Sequence, residues 1–256
     1  MFTTVVDPAR SETDMRAPRL KRRVALIVGG TEGMGVQIVR AFLREGAIVV
    51  VPSSSAEQLE RLREELHDFP SEDVVSIFGG MERLDEAERI RDVLLVRVGR
   101  LDAVVVSLGL GCHCPSLVEA SFEMWERALS DHLTTQFVIA HTFLPLLVAQ
   151  GHGSYTLVKR TATERAVTQA DLSAIVGAAQ AMLVRVLTEE LADTHVRINE
   201  VFVCPATTVR KGAHDPSEGV AGECVGTVTA WLASEAAASV HAATIRLVEG
   251  SSTSHS

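Results

Sequence analysis

What most constrains this chain is an alternation: apolar runs of strand length recur between helix-length amphipathic stretches along most of its 256 residues. The runs are Val24–Val28, Ala47–Val51, Val74–Phe78, Ala103–Val106, Tyr155–Val158, Val196–Val203 and Ala243–Val248. Between them Gly35–Arg44, Ala56–His67, Leu84–Val98, Phe122–Leu147, Leu172–Ala192 and Val225–Ser234 read as helices. Strands that alternate with helices predict a parallel sheet. The runs are nearly all Val, Ile, Leu and Ala, so both sheet faces should be covered by helices. One doubly wound α/β domain of about seven strands is expected, and a hydrophobic content of 46% is enough to fill its core.

Residues 1–22 mix acids, bases and prolines without periodicity, which predicts a loose tail before a domain at 23–250 and a short tail at 251–256. The net charge is −9, and no dense Lys/Arg stripe follows residue 23. Nucleic acid and anionic membrane partners both need clustered positive charge and are therefore not expected. Lys21-Arg22-Arg23 reads as a solubilising lead into the first strand. No signal-peptide pattern or apolar run near the ~18 residues of a membrane span stands out. Cys112, Cys114, Cys204 and Cys224 form no paired framework, so a reducing cytoplasm is the expected compartment.

Directly after the first strand comes Gly29-Gly30-Thr31-Glu32-Gly33-Met34-Gly35, then a helix. Glycines there allow a tight turn and let backbone N–H groups at a helix N-terminus approach a pyrophosphate. With this spacing the chain resembles the short-chain dehydrogenase/reductase family, whose Rossmann-type fold binds NAD or NADP. The resemblance covers residues 23–250 and assigns Gly29, Gly33, Met34 and Gly35 to the cofactor loop. Other cofactor positions depart from the family. Pro52-Ser53-Ser54-Ser55 offers neither an Asp for ribose hydroxyls nor an Arg for a 2′-phosphate, and Glu32 would repel that phosphate. Phe78-Gly79-Gly80 lacks the family's adenine-side Asp, and Val106-Ser107-Leu108-Gly109 replaces its Asn-Asn-Ala-Gly. No cofactor or weak NAD is expected, and NADP is disfavoured.

The catalytic positions depart further. Trp125-Glu126-Arg127 through His132-Leu133-Thr134 matches the family's helix that carries the active-site Asn, here His132. Gly153–Val158 matches the strand that leads to the catalytic Ser, here Arg160 with Lys159 and Thr161 beside it. On the next helix the Tyr position is Ser173 and the Lys position Gly177. The family's mechanism needs a phenol whose pKa a nearby ammonium lowers. Tyr155 and Lys159 do match Tyr-x-x-x-Lys as a string. They fall on a predicted strand, however, where residues four apart lie roughly 13 Å from each other instead of stacking. Residues 206–224 form a short segment where the family commonly places a substrate lid.

Cys112-His113-Cys114 and Cys204 follow strand ends, but their spacing is no known zinc pattern, so they read as thiols beside a loop histidine and no metal is expected. The resemblance implies a non-catalytic subunit of a hetero-oligomeric NAD-dependent alcohol dehydrogenase, by analogy one acting on β-hydroxyacyl-CoA. It would support an active paralogue through helices 122–147 and 172–192 and the C-terminal strand, with no activity of its own. Two alternatives stay open. One is a repurposed lyase, isomerase or cyclase using His132 and Arg160, and the other a dinucleotide-sensing binding protein.

Overall fold

The computed structural model describes residues 3–5, 19–108, 117–159, 172–203 and 222–247. In chain order the strands are β1 (Thr3–Val5), β2 (Val24–Val28), β3 (Ile48–Ser53), β4 (Val74–Phe78), β5 (Ala103–Val106), β6 (Gly153–Lys159), β7 (Val196–Val203) and β8 (Thr244–Leu247). The helices are α1 (Met34–Arg44), α2 (Ala56–Glu65), α3 (Leu84–Val98), α4 (Phe122–Ala128), α5 (Thr135–Gln150), α6 (Leu172–Glu190) and α7 (Gly222–Ala233). All strands run parallel in the order β1-β8-β7-β6-β5-β2-β3-β4. This is the doubly wound Rossmann-type sheet that the alternation predicts. The strand order reverses at β2, which pairs with β3 on one side and β5 on the other, so a crevice opens beyond their C-terminal ends.

Period-two side chains divide the sheet between two cores. Ile27, Val49, Val51, Val105, Val158 and Val201 meet α1 and α7 on one face. Leu26, Val104, Tyr155, Leu157 and Ile198 meet α3, α5 and α6 on the other. Phe42 and Phe143 are both fully buried, one in each core. Burial of such a ring contributes about 1.5–3 kcal/mol. Helices α1 and α7 approach closely because Gly226 faces Gln37 and Ala41, where a Cβ would lie 2.5 Å from the Gln37 carbonyl oxygen.

Three features differ from the sequence reading. The folded unit begins by residue 19 and not at 23: Leu20 is buried, and the Arg19 guanidinium meets Glu45 at 2.8 Å. Thr3–Val5, read as part of a loose tail, forms β1 and adds an eighth strand beside β8. The helix expected over 122–147 runs to Gln150 and contains a π-helical turn at Leu129–Thr134. By length and composition, 122–150 and α6 could each cross a membrane, with mean hydropathy 1.3. No such run stands out in the bare sequence reading. In the fold, α5 and α6 turn one side to the sheet.

Candidate functional site

At the end of β2 the glycine loop is shaped by contacts within the fold. Gly29 has φ 79°, and a Cβ there would lie 2.0 Å from the Ser107 carbonyl oxygen beyond β5. A Cβ on Gly35 would lie 1.8 Å from the Gly29 oxygen. Both glycines are therefore demanded by the approach of helix, loop and neighbouring strand. Gly33 is different. Its φ of 52° with ψ −119° suits glycine alone, yet a Cβ would meet nothing within 4 Å. Gly33 N-caps α1 with no side-chain cap and no acid in the first turn, while partly buried Met34 packs on the core. An uncapped helix N-terminus of this kind, open to solvent at Gly33, fits the pyrophosphate of a dinucleotide.

The adjoining ribose position is crossed by the protein's own side chains. Ser55 caps α2 by accepting from Gln58 N at 3.2 Å, which turns the Gln58 side chain toward the loop. Its Oε1 accepts from Ser53 Oγ at 2.8 Å and from Thr31 Oγ1 at 3.3 Å. Its Nε2 donates to Glu32 Oε1 at 2.8 Å, and Arg61 stands 3.7 Å from the same carboxylate. The sequence reading overlooked Gln58. Its one visible signal is Ser55-x-x-Gln58, the spacing of a helix cap. Beyond β4, Gly80 N donates to Glu86 and Met81 N to Glu82, each at 2.9 Å, so two carboxylates that the sequence does not single out border the crevice beyond β4.

His132 lies in the π-helical turn, a geometry that often marks functional positions in helices. The residue is 4% exposed, and burial holds its imidazole below the usual pKa against the opposing pull of Asp131. Nδ1 has no hydrogen-bond partner, so the ring is a buried neutral base with one free nitrogen. Gln180 Nε2 donates to the His132 carbonyl at 3.4 Å, and Gln136 Nε2 donates to the Gln180 carbonyl at 3.4 Å. Ser173 and Gly177 are buried near the start of α6, one turn apart. No ammonium reaches that turn from Gly177. Arg160 and Thr161 lie outside the described residues, as do Cys112, His113, Cys114, Cys204 and most of 206–224. Among the described residues no group of three or more His, Cys, Asp or Glu could hold a metal.

The Tyr-x-x-x-Lys string lies on β6, as the strand argument requires. Tyr155 is fully buried, and burial raises its phenol well above the ordinary range, with Gln136 opposing. Lys159 is tied elsewhere. Its Nζ meets Glu200 Oε1 of β7 at 2.8 Å, with both side chains under 10% exposed, and Thr244 Oγ1 of β8 donates to Glu200 Oε2 at 3.0 Å. The pair stitches three strands together and leaves the phenol without a cation.

On the outer side, α4 to α6 carry apolar residues in the open. Phe122, Phe137 and Met182 are 72%, 53% and 55% exposed, and Val148, Ile175 and Val186 are also exposed. On α5 the Phe137 ring stacks on His141 with centroids 5.7 Å apart. On α6, Ile175, Met182 and Val186 fall at helical spacing along one stripe.

Comparison with known proteins agrees with this architecture. The short chain dehydrogenase family model matches residues 23–217. The chain is 26% identical over 258 residues to 3beta-hydroxysteroid dehydrogenase 2 of Eggerthella lenta, covering 91% of this chain and 96% of that protein. It is 27% identical over 180 residues to the human dehydrogenase/reductase SDR family member 2, mitochondrial, covering 70% of this chain and 64% of that protein. A short-chain type dehydrogenase/reductase from Mycobacterium ulcerans superposes with TM-score 0.81 at 19% identity, covering 89% of each chain. A metagenomic short-chain oxidoreductase solved with NADP superposes at 0.77 with 20% identity, covering 91% of this chain and 100% of that one. The family model spans most of the chain, and the parallel sheet with its glycine loop is the matching architecture: this protein belongs to the short-chain dehydrogenase family.

Proposed function

We propose that this protein is a non-catalytic subunit of a hetero-oligomeric, NAD-dependent alcohol dehydrogenase, in which a family member with an intact Ser, Tyr and Lys performs the chemistry. The observation that carries this reading is the apolar face of α4 to α6 beside a site without a phenol–ammonium pair. Large apolar side chains exposed along α4, α5 and α6 are the kind of surface that a partner protein covers. A homo-oligomer of this chain would bury the same patch but supply no Tyr or Lys at residues 173 and 177. Dinucleotide binding is weak or absent, because Gln58 and Glu32 bond to each other where ribose hydroxyls need a free carboxylate. Glu32 also repels a 2′-phosphate, which disfavours NADP. The β-hydroxyacyl-CoA class remains an analogy for the partner's substrate.

The test is isolation of the tagged chain from its native cells, followed by mass measurement of the intact complex. A stoichiometric partner with an intact Tyr-x-x-x-Lys is the expected result. A homo-oligomer that turns over a substrate unaided would overturn the reading.

His132 supports a second reading, a non-redox acid–base enzyme. Its ring is neutral, and its Nδ1 is free to take a proton. In that case His132→Gln abolishes the turnover of purified protein while leaving the fold intact.

A further inference from the structure

At the opposite end of the sheet from the glycine loop, where β2, β5, β6 and β7 begin, a cavity of about 420 Å³ opens. Its floor is Asp102, whose carboxylate accepts from Val24 N at 2.9 Å, Arg23 Nη1 at 3.1 Å and Arg100 Nε at 2.9 Å. His152 Nε2 stands 3.2 Å from the same carboxylate. One buried anion is thus shared by two guanidiniums and an imidazole. Arg197 lines the cavity as well and spends its hydrogen bonds on the neutral carbonyls of Leu232, Ser234 and Ala237. The other acid in the lining, Glu235, is 76% exposed and reaches Arg23 Nη2 at 2.6 Å. An exposed pair of this kind is weak and readily exchanged.

Two further imidazoles stand at the mouth. His241 Nδ1 accepts from Ile198 N at 3.2 Å, which leaves Nε2–H as an outward donor. His195 is exposed and makes no hydrogen bond among the described residues. Helices α5, α6 and α7 run antiparallel to the strands and end on this side, and helix C-termini attract cations. That attraction accounts for Arg197 at the end of α7 but not for His195 or His241. The lining sets two guanidiniums against two carboxylates, but both carboxylates pair with Arg23, so Arg197 keeps its charge without an ion pair among the described residues and stands with two exposed imidazoles.

We infer that this cavity is a binding site for a small molecule carrying a phosphate-type oxyanion, held by Arg23, Arg197, His195 and His241, with Glu235 as an internal competitor. Its volume exceeds one phosphate group and falls within the range of small-molecule sites, about 300–1,000 Å³, so the body of a phosphomonoester fits beside the anion. The site is independent of the cleft above β2 and β5 and of the proposed subunit role.

The experiment is calorimetric titration of the full chain with inorganic phosphate and with glycerol 3-phosphate, at fixed pH in chloride buffer. Saturable one-site binding of either compound is expected. The double variant His195→Ala/His241→Ala should weaken it about tenfold, and Glu235→Gln should tighten it about tenfold. His67→Ala, at an exposed histidine just past the C-terminal end of α2, should change nothing. All the variants alter exposed side chains, so unchanged melting is the check that they fold. Absence of saturable heat with both compounds, or a double variant that binds like the parent, would overturn the assignment.

Discussion

Replacing Lys159 by Met tests whether this lysine belongs to the fold or to the cleft. Lys159 and Glu200 are 7% and 5% exposed as side chains, and their 2.8 Å contact is the only ion pair that either makes among the described residues. Removal of the ammonium strands a buried carboxylate whose remaining side-chain partner among the described residues is the Thr244 hydroxyl at 3.0 Å. Breaking one side of such a pair costs about 3–5 kcal/mol, whereas replacing both sides with apolar residues is often neutral. Lys159→Met should therefore lower the urea-unfolding free energy by about 3–5 kcal/mol and the melting midpoint by roughly 6–20 °C for a chain of this size. The double variant Lys159→Met/Glu200→Leu should recover most of that loss. The assay is equilibrium urea unfolding of both single variants and the double, closed as a thermodynamic cycle. A Lys159→Met variant within about 1 kcal/mol of the parent would refute the reasoning and return its ammonium to the cleft as a candidate for catalysis.

Four other outcomes follow from the same contacts. Charges placed on the apolar stripes, Phe137→Asp or Met182→Asp, should abolish assembly with the partner in size-exclusion chromatography while moving stability by no more than about 0.5 kcal/mol. Ser53→Asp should tighten NADH, measured by fluorescence titration, about tenfold over a parent that binds weakly, with no gain for NADPH. Micromolar NADH binding by the parent would contradict the Gln58–Glu32 account. Tyr155→Phe removes a buried hydroxyl whose polar neighbour, Gln136, stands outside hydrogen-bond geometry, so its unfolding free energy should stay within about 1 kcal/mol of the parent. For His132 the folded pKa lies below the unfolded one, so the unfolded chain binds more protons in the window between them. Stability from this residue is present above about pH 6.5 and is lost as pH falls below it toward the depressed folded value. His132→Gln should flatten the dependence of the urea midpoint between about pH 7.5 and 5.5.

Most of the fold was legible because the signal is a repeated one: each β-strand of the main sheet is an apolar run, and each helix begins or ends near a glycine, serine or charge change. The boundaries of β2, β4, β5 and β7 match the runs to the residue. What escaped had no local signature. Thr3–Val5 joins the sheet only because β8 offers an open edge, which lies far away in sequence. The π-helical turn around His132 interrupts a stretch whose apolar pattern reads as one helix. In the site, the strand placement of Tyr155 and Lys159 was readable as periodicity, and the buried positions of Ser173 and Gly177 on α6 followed from its apolar pattern. Gln58, Glu82 and Glu86 were not readable, because their importance arises from where caps and turns direct ordinary polar side chains.

The glycine loop shows why a motif and a function can separate. Gly29 and Gly35 are fixed by contacts with Ser107 and with the loop itself, so a chain that never meets a dinucleotide would still need both to join β2 to α1. Within the loop, Gly33 alone of these three combines a glycine-specific backbone with open space on its Cβ side, the combination a ligand approaching the backbone requires. The strength of the motif therefore measures the demands of the strand-to-helix turn as much as those of a cofactor. The neighbouring positions separate the two demands, because the strand-to-helix turn does not dictate their side chains. There Ser53, Gln58 and Glu32 bond to one another, Lys159 is drawn into the sheet, and Gly177 contributes no charge. The glycines of the framework are set by packing, whereas Ser173 and Gly177 bring neither a phenol nor an ammonium to their turn. Under the subunit proposal, such a chain acts through the surface it presents, and the partner supplies the reacting groups.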